Sequence, residues 1–143
     1  MEKRCPSCKI NSTKTGYKTV LMNLRYEKLK DLNDAGYLFC PNPKCDMVYF
    51  SEDYTHVFRK DDLRVEVGIK ESGVTRTLCY CFDIKEKDLI NNLKLNKHND
   101  IIDFISLKIR DKLCACSIKN PSGRCCLGTV KNVVNNLDQA NYD

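Results

Sequence analysis

The chain has 143 residues, a formal net charge of +5 and ten cysteines, and it contains no tryptophan. Such a length suits one compact domain or two small ones. The amino terminus lacks the apolar stretch of a signal peptide, and no run approaches the roughly 18 apolar residues of a membrane span. These features argue against a secreted or membrane-spanning protein and predict a cytoplasmic one.

The cysteines dominate the composition. In a reducing compartment, ten thiols favour metal binding or redox chemistry over structural disulfides. Four cysteines lie between residues 5 and 45, and six lie between residues 79 and 126. Two groups separated in this way indicate two metal sites in two subdomains, and we place these subdomains at residues 1–72 and 73–143.

The elements predicted for the first half are short. Apolar residues at three-to-four spacing predict an amphipathic helix that ends before Gly36. These residues are Leu21, Leu24, Leu29 and Leu32. Residues 37–39 and 47–50 are predicted strands on either side of a turn at 41–44. Residues 63–69 alternate between apolar side chains and polar or small ones, which predicts a half-exposed strand.

The first cysteine group has the spacing of a structural metal site. Cys5-x2-Cys8 and Cys40-x4-Cys45 provide two chelating pairs, one at the amino terminus and one in the turn between the two predicted strands. Four thiolates at tetrahedral positions are what a structural zinc ion requires. We therefore predict a stabilising zinc ion at these four cysteines, with a mononuclear iron, or free or disulfide-bonded thiols, as the alternatives.

The second half is predicted to be mainly helical. Asp83 can cap a helix in which Glu86 occupies the third position of a capping box. Apolar stripes then mark three successive helices. They are Leu89, Ile90 and Leu93, then Ile101, Ile102, Ile105 and Ile109, then Leu127, Val130, Val133, Val134 and Leu137.

The second cysteine group does not have zinc-finger spacing. Cys79-x-Cys81 is followed after 32 residues by Cys114, with further cysteines near the start of the third helix. A C-x-C pair lets one loop present both thiolates to one iron, and a distant pair completes the other iron of a 2Fe-2S cluster. The expected fold class is α+β: a small zinc-bound mixed α/β subdomain followed by a helical 2Fe-2S-binding subdomain.

Two known families resemble this chain. Residues 79–90, the C-x-C pair and the helix after it, resemble the opening of the bacterioferritin-associated-ferredoxin (BFD) family of 2Fe-2S domains. That resemblance implies that Cys79, Cys81 and Cys114 are cluster ligands. Residues 37–50, 114–116 and 120–128 resemble the amino-terminal domain of CopZ-type copper chaperones. That second resemblance spans nearly the whole chain and implies one zinc ion and one 2Fe-2S cluster in a protein of copper handling.

The fourth cluster ligand is open at this level. Cys125 and Cys126 are adjacent at a helix start, project in different directions and are not expected to bind the same cluster. Apolar residues fall at +4, +7 and +8 from Cys126, as in the simpler ferredoxin pattern, and fit less well from Cys125. We choose Cys126, with Cys125 and then Cys116 as alternatives. Cys116 and Cys125 are then candidate Cu(I) thiols, because Cu(I) favours soft ligands, or they are inert thiols.

These patterns predict a cytoplasmic zinc and 2Fe-2S protein of electron transfer. The copper-chaperone resemblance implies reduction of Cu(II) to Cu(I) or a chaperone-related role, with a copper chaperone domain or an export ATPase as partner. A metal-stabilised scaffold module and a ferredoxin-like partner of a reductase are the alternatives. The sequence has no catalytic motif of a classical enzyme, and its interleaved charges do not predict a nucleic-acid surface.

Overall fold

A four-stranded antiparallel sheet forms the first half of the chain. The computed structural model describes residues 3–96, 100–113 and 115–139. The strands lie in sequence order, each antiparallel to the next. They are β1 (Thr13–Thr15), β2 (Tyr37–Phe39), β3 (Met47–Ser51) and β4 (Val57–Arg59). Helix α1 (Tyr17–Asn23) and a 3₁₀ helix (Tyr26–Asp31) connect β1 to β2.

The β2–β3 hairpin forms where the sequence predicts it, and it is buried on both faces. All residues of both strands are buried. Because successive side chains of a strand point to opposite faces, Tyr37 and Phe39 enter the main apolar core of this half. Leu38 and Cys40 enter a second, smaller core that contains the cysteines. The pleat of one short strand therefore separates the apolar core from the cysteine site.

The single helix predicted across residues 21–32 is in fact two pieces. Leu24 has an extended backbone (φ −80°, ψ 149°) and is 1% exposed. On either side of it, the Arg64 N–H donates to the Asn23 carbonyl at 3.0 Å and the Arg25 N–H donates to the Asp62 carbonyl at 2.9 Å. Bonds to the 62–64 segment thus replace the helical bonds at this point.

The prediction of a strand at residues 63–69 is wrong. Within this segment Leu63 forms an isolated bridge with Leu24, and a 3₁₀ helix occupies Gly68–Lys70. Leu63 and Val67, four residues apart, reach the core. The alternation of apolar residues did not produce a strand here. The Gly68 N–H donates to the Tyr80 hydroxyl at 2.8 Å and not to the carbonyl of a neighbouring strand.

The second half combines a small hairpin with the predicted helices. Strands β5 (Thr77–Cys79) and β6 (Ile84–Lys85) form a two-stranded antiparallel sheet that the sequence analysis did not predict. The helices are α2 (Glu86–Asn96), α3 (Asp100–Arg110), the short α4 (Cys116–Lys119) and α5 (Leu127–Gln139). Their apolar stripes meet in one core with Cys79 and Cys126. None of the described helices is long and apolar enough to cross a membrane.

The predicted capping box at Asp83 and Glu86 is wrong, because α2 begins at Glu86 itself, two residues after the start that a cap at Asp83 would give. Asp83 has a positive φ of 54° and its carboxylate contacts Lys85 Nζ at 2.8 Å. The carboxylate of Asp88 caps the helix by accepting the Lys85 N–H at 2.8 Å. Glu86 instead pairs with Arg76 at 2.9 Å.

Residues 115–124, here called the strap, leave the second half and pack on the first. Asn23 Nδ2 donates to the Ile118 carbonyl at 3.0 Å, and the Tyr49 hydroxyl donates to the Pro121 carbonyl. Gly123 has φ +72°, and a Cβ there would lie 2.8 Å from Thr15 Oγ1. The division at residues 72 and 73 stays a prediction; each side has its own core, and the strap crosses between them.

Candidate metal centres

Four cysteine side chains meet beside the β2–β3 hairpin. Cys5 and Cys8 lie on an amino-terminal turn that closes through the Lys9 N–H to Cys5 carbonyl bond and the Cys5 N–H to Ile10 carbonyl bond, both 2.9 Å. Cys40 directly follows β2, and Cys45 lies two residues before β3. The hairpin turn and the amino-terminal turn each present a chelating pair, as the sequence spacing predicts.

The geometry of this group suits one tetrahedral ion. All four Sγ atoms lie within 4.8 Å of one another, and they form the one such cluster found among the described residues. The Cys5–Cys45 and Cys8–Cys40 Sγ distances are 3.9 and 3.6 Å. Four sulfurs at about 2.3 Å from a tetrahedral zinc ion would lie about 3.8 Å apart. The site therefore needs little movement to close on a metal.

Burial makes these thiols unequal. Burial raises the pKa of Cys40 to about 12, against the lowering effects of the Asn42 N–H and the charge of Lys70. Burial also acts to raise the pKa of Cys8, but hydrogen bonds from Asn42 and Ile10 overcome it and lower the value to about 6. Because a metal binds the thiolates, its uptake must release the protons of the buried thiols.

A buried lysine that the sequence analysis missed contacts the same turn. Lys70 is 5% exposed. Its Nζ donates to the Asn42 carbonyl at 2.8 Å and to the Cys45 carbonyl at 3.1 Å, and lies 5.8 Å from the centre of the Phe39 ring. No motif marks this lysine in the sequence, because it is 25 residues from the cysteine whose carbonyl it contacts.

A second set of cysteines lies where β5 meets α5. Cys79, the last residue of β5, is fully buried, and Cys126, just before α5, is 1% exposed. A hydrogen bond with Cys126 lowers the pKa of Cys79 to about 6. Cys81 is half-buried, and its Sγ accepts the Ala115 N–H at 3.0 Å. The structure thus brings the start of the strap to the C-x-C loop.

Of the three remaining cysteines, the structure describes the side chain of Cys125 only. Cys125 is exposed and lines a cavity of about 350 Å³ between the two halves, beside Arg124. Cys114 lies outside the described residues, and so does the side chain of Cys116. The contact with Cys79 supports Cys126 over Cys125 as a cluster ligand, while the full ligand set stays a prediction.

The fold and the four-cysteine site have counterparts among known proteins. Residues 2–64 match the family model of the CopZ zinc-binding domain. Over 123 residues the chain is 32% identical to the copper chaperone CopZ of Archaeoglobus fulgidus, covering 86% of this chain and 57% of that protein. The X-ray structure of the A. fulgidus CopZ N-terminal domain matches with a TM-score of 0.75 and 30% identity, over 92% of this chain and 97% of that domain.

These matches define a mixed α/β metal-binding domain whose amino-terminal part is of the zinc-binding type. The chain belongs to the family of CopZ amino-terminal domains, which confirms the predicted resemblance to that family. It spans somewhat more than half of the full-length chaperone that it matches, 57%. The BFD-like segment and its cluster stay predictions.

Proposed function

We propose that this chain is a cytoplasmic redox protein of copper handling that holds a structural zinc ion in its first half and a 2Fe-2S cluster in its second. The observation that carries the proposal is the pairing of buried Cys79 with buried Cys126 in the second core. It is a thiol site separate from the four-cysteine site, in a chain similar to a copper chaperone.

The zinc ion would be held by Cys5, Cys8, Cys40 and Cys45. Protein sulfurs occupy all four positions, so no position is left for a substrate. Three of these cysteines are buried and Cys8 is half-buried. A closed, water-poor site of this kind stabilises the small first half and contributes no catalytic step.

The residues of the second site fit a 2Fe-2S cluster. Its ligands would be Cys79, Cys81, Cys114 and Cys126, with Cys125 as the alternative fourth ligand, and thiolates are the ligands that such clusters require. When bound, the cluster supplies one-electron transfer. Cys79 and Cys126 would hold it beside the apolar core to which they belong, where the buried side chains would limit the access of water. The backbone N–H groups at the start of α5 favour negative charge beside Cys126.

Copper would be the substrate of this redox protein. One electron passes from the reduced protein to Cu(II), which leaves oxidised protein and Cu(I). The exposed Cys125 offers a soft ligand to Cu(I), and a thiolate acceptor then takes the ion. A copper chaperone domain or an export ATPase is the partner that this chemistry requires.

Metal analysis of anaerobically purified protein tests both sites. We expect one zinc, two irons and two acid-labile sulfides per chain, with thiolate-to-iron absorption in the visible spectrum. Two zincs per chain and a colourless protein, even after reconstitution with iron and sulfide, would identify the second site as structural. The scaffold alternative would then replace electron transfer.

The copper role needs a separate experiment. Cu(II) added anaerobically to the reduced protein should restore the oxidised cluster spectrum while a Cu(I)-specific chelator reports Cu(I) in equal amount. Protein that is reduced and reoxidised by an artificial acceptor, but not by Cu(II), would support the ferredoxin-like alternative. Oxidised protein is the matched control and should yield no Cu(I).

A further inference from the structure

Lys70 is a buried lysine in the segment that follows the sheet. It is 5% exposed, and none of the ion pairs found among the described residues includes it. Removing an ammonium group from water costs several kcal/mol unless other charges or hydrogen bonds compensate. Two carbonyl hydrogen bonds and the face of the Phe39 ring compensate part of this cost for Lys70, and a negative charge nearby would compensate more of it.

Both hydrogen bonds that the Lys70 ammonium group donates lead to the four-cysteine site. Its Nζ donates to the carbonyls of Asn42 and Cys45, which begin and end the turn that carries one chelating pair. The backbone of Lys70 is itself held, because its N–H donates to the Val67 carbonyl at 2.8 Å and Lys60 Nζ donates to its carbonyl at 3.3 Å. The ammonium group is thus positioned against this turn by residues 63–70, here called the linker, which follow the four-stranded sheet in the chain.

The charge of the occupied site supplies the missing partner. Four thiolates around a divalent ion carry a net charge of −2, within a largely buried group of sulfurs. A fixed cation in this low-dielectric region interacts more strongly than it would in water. The carbonyls of Asn42 and Cys45 offer only dipoles, whereas the occupied site offers two negative charges.

We propose that Lys70 is the resident countercation of the four-cysteine site, a positioning residue that selects a divalent ion and holds the Asn42–Cys45 turn. This inference rests on the proposed zinc site. It predicts a preference by charge: a trivalent ion at the same four thiolates leaves only −1 to compensate. Lys70 should therefore favour Fe(II) over Fe(III) when iron replaces zinc.

Zinc retention is the first test. Lys70→Met removes the charge and the donors, Lys70→Gln removes the charge but keeps a donor, and Lys70→Arg keeps the charge. Outer-shell changes typically cost about 10- to 100-fold in metal affinity, and we expect losses in that range for Met and Gln in competition with a zinc chelator. Lys18→Met is the matched control, because Lys18 is an exposed lysine of α1 in the same half of the protein, and it should retain zinc as the wild type does.

The second test separates charge from simple packing. Protein with iron in place of zinc is titrated potentiometrically, and the low-field EPR signal of high-spin Fe(III) distinguishes this site from the 2Fe-2S cluster. A tenfold loss of preference for Fe(II) corresponds to a potential about 59 mV lower. We expect such a decrease in Lys70→Met and Lys70→Gln, and a potential near that of the wild type in Lys70→Arg.

The outcomes separate this inference from the proposal on which it rests. Wild-type protein that retains neither zinc nor iron at the four cysteines would overturn the proposed zinc site. Wild-type protein that retains zinc, with variants whose affinity or potential does not change, would overturn the role of Lys70 alone. Equal loss of affinity in Met, Gln and Arg variants, with an unchanged potential, would also overturn it, because packing would then explain the effect.

Discussion

At the scale of single residues, adjacent cysteines have opposite environments. Cys126 is 1% exposed and belongs to the core of the second half, whereas Cys125 is exposed at the cavity between the halves. The difference follows from the start of α5, where consecutive side chains point in different directions. One turn of chain thus places one thiol in the buried core, where the proposed cluster would bind, and one at the solvent.

Serine substitutions at these two positions should have different effects. Cys126→Ser should lose most of its iron, sulfide and visible absorption, because a hydroxyl is a poorer ligand for iron than a thiolate. Cys125→Ser is the matched control and should keep iron and sulfide at the wild-type level. Iron analysis and visible spectra of the two anaerobically purified variants decide the matter. Full iron in Cys126→Ser and loss in Cys125→Ser would assign the fourth ligand to Cys125.

The four cysteines of the first site can be predicted from the sequence, whereas Lys70 cannot, because their contacts are of different kinds. The spacing of Cys5, Cys8, Cys40 and Cys45 predicts a metal site because each pair is local, and the structure brings these four sulfurs together. Lys70 contacts the same site through two backbone carbonyls. Every residue has a backbone carbonyl, so the residue types at these positions do not indicate the contact. Contacts between distant side chains and main chain are visible only in the folded structure.

At the scale of elements, periodicity predicts long helices better than short segments. The apolar stripes predicted for α2, α3 and α5 meet in one core, because each helix closes its own backbone hydrogen bonds and only its apolar face needs partners. Residues 63–69 contain four alternating apolar residues, but the Arg64 N–H donates to the Asn23 carbonyl and the Gly68 N–H donates to the Tyr80 hydroxyl, and these tertiary bonds override the alternation. The helix predicted at 21–32 breaks at Leu24 for the same reason.

Gly68 shows how tightly the linker, residues 63–70, packs against β5. A Cβ at Gly68 would lie 1.7 Å from the Thr77 carbonyl oxygen, a backbone atom that cannot turn away. Gly68→Ala must therefore displace β5 or the linker, and overpacking of this kind typically costs about 1–3 kcal/mol. We expect a clearly lower midpoint in thermal unfolding followed by circular dichroism.

A second glycine provides the control for this substitution. Gly128 lies in α5, and a Cβ there would meet no atom within 4 Å. Alanine is favoured over glycine in helices by up to about 1 kcal/mol, so Gly128→Ala should leave the midpoint unchanged or raise it. Equal midpoints for Gly68→Ala and the wild type would show that the linker is not packed as described.

At the scale of the whole molecule, the strap connects the second set of cysteines with the half that carries the four-cysteine site. Its start contacts Cys81 through the Ala115 N–H, and its middle is held by Tyr49 and Asn23 of the first half. Tyr49 is a core residue of the sheet whose hairpin carries Cys40 and Cys45. If the first half becomes less ordered, we therefore expect the strap to loosen, and with it the surroundings of Cys81 in the proposed cluster site.

Removal of zinc tests this connection directly. A chelator that takes zinc without attacking the cluster should loosen the hairpin turn and, through the strap, speed the loss of visible absorption in air. The comparison is between zinc-loaded and zinc-depleted protein, with zinc added back as the control that restores the slower rate. Bleaching at the same rate with and without zinc would show that the two centres are independent.

Tyr49→Phe tests the same connection without removing a metal. The side chain is fully buried and its hydroxyl donates to the Pro121 carbonyl, so phenylalanine keeps the ring and leaves a buried acceptor without that donor. Leaving a buried group unpaired typically costs about 1–3 kcal/mol. We expect normal zinc content, a lower thermal midpoint and faster bleaching of the cluster. Tyr26→Phe, at a side chain that is 82% exposed, is the control and should match the wild type. A lower midpoint with unchanged bleaching would mean that Tyr49 stabilises the sheet but does not hold the strap against the cluster site.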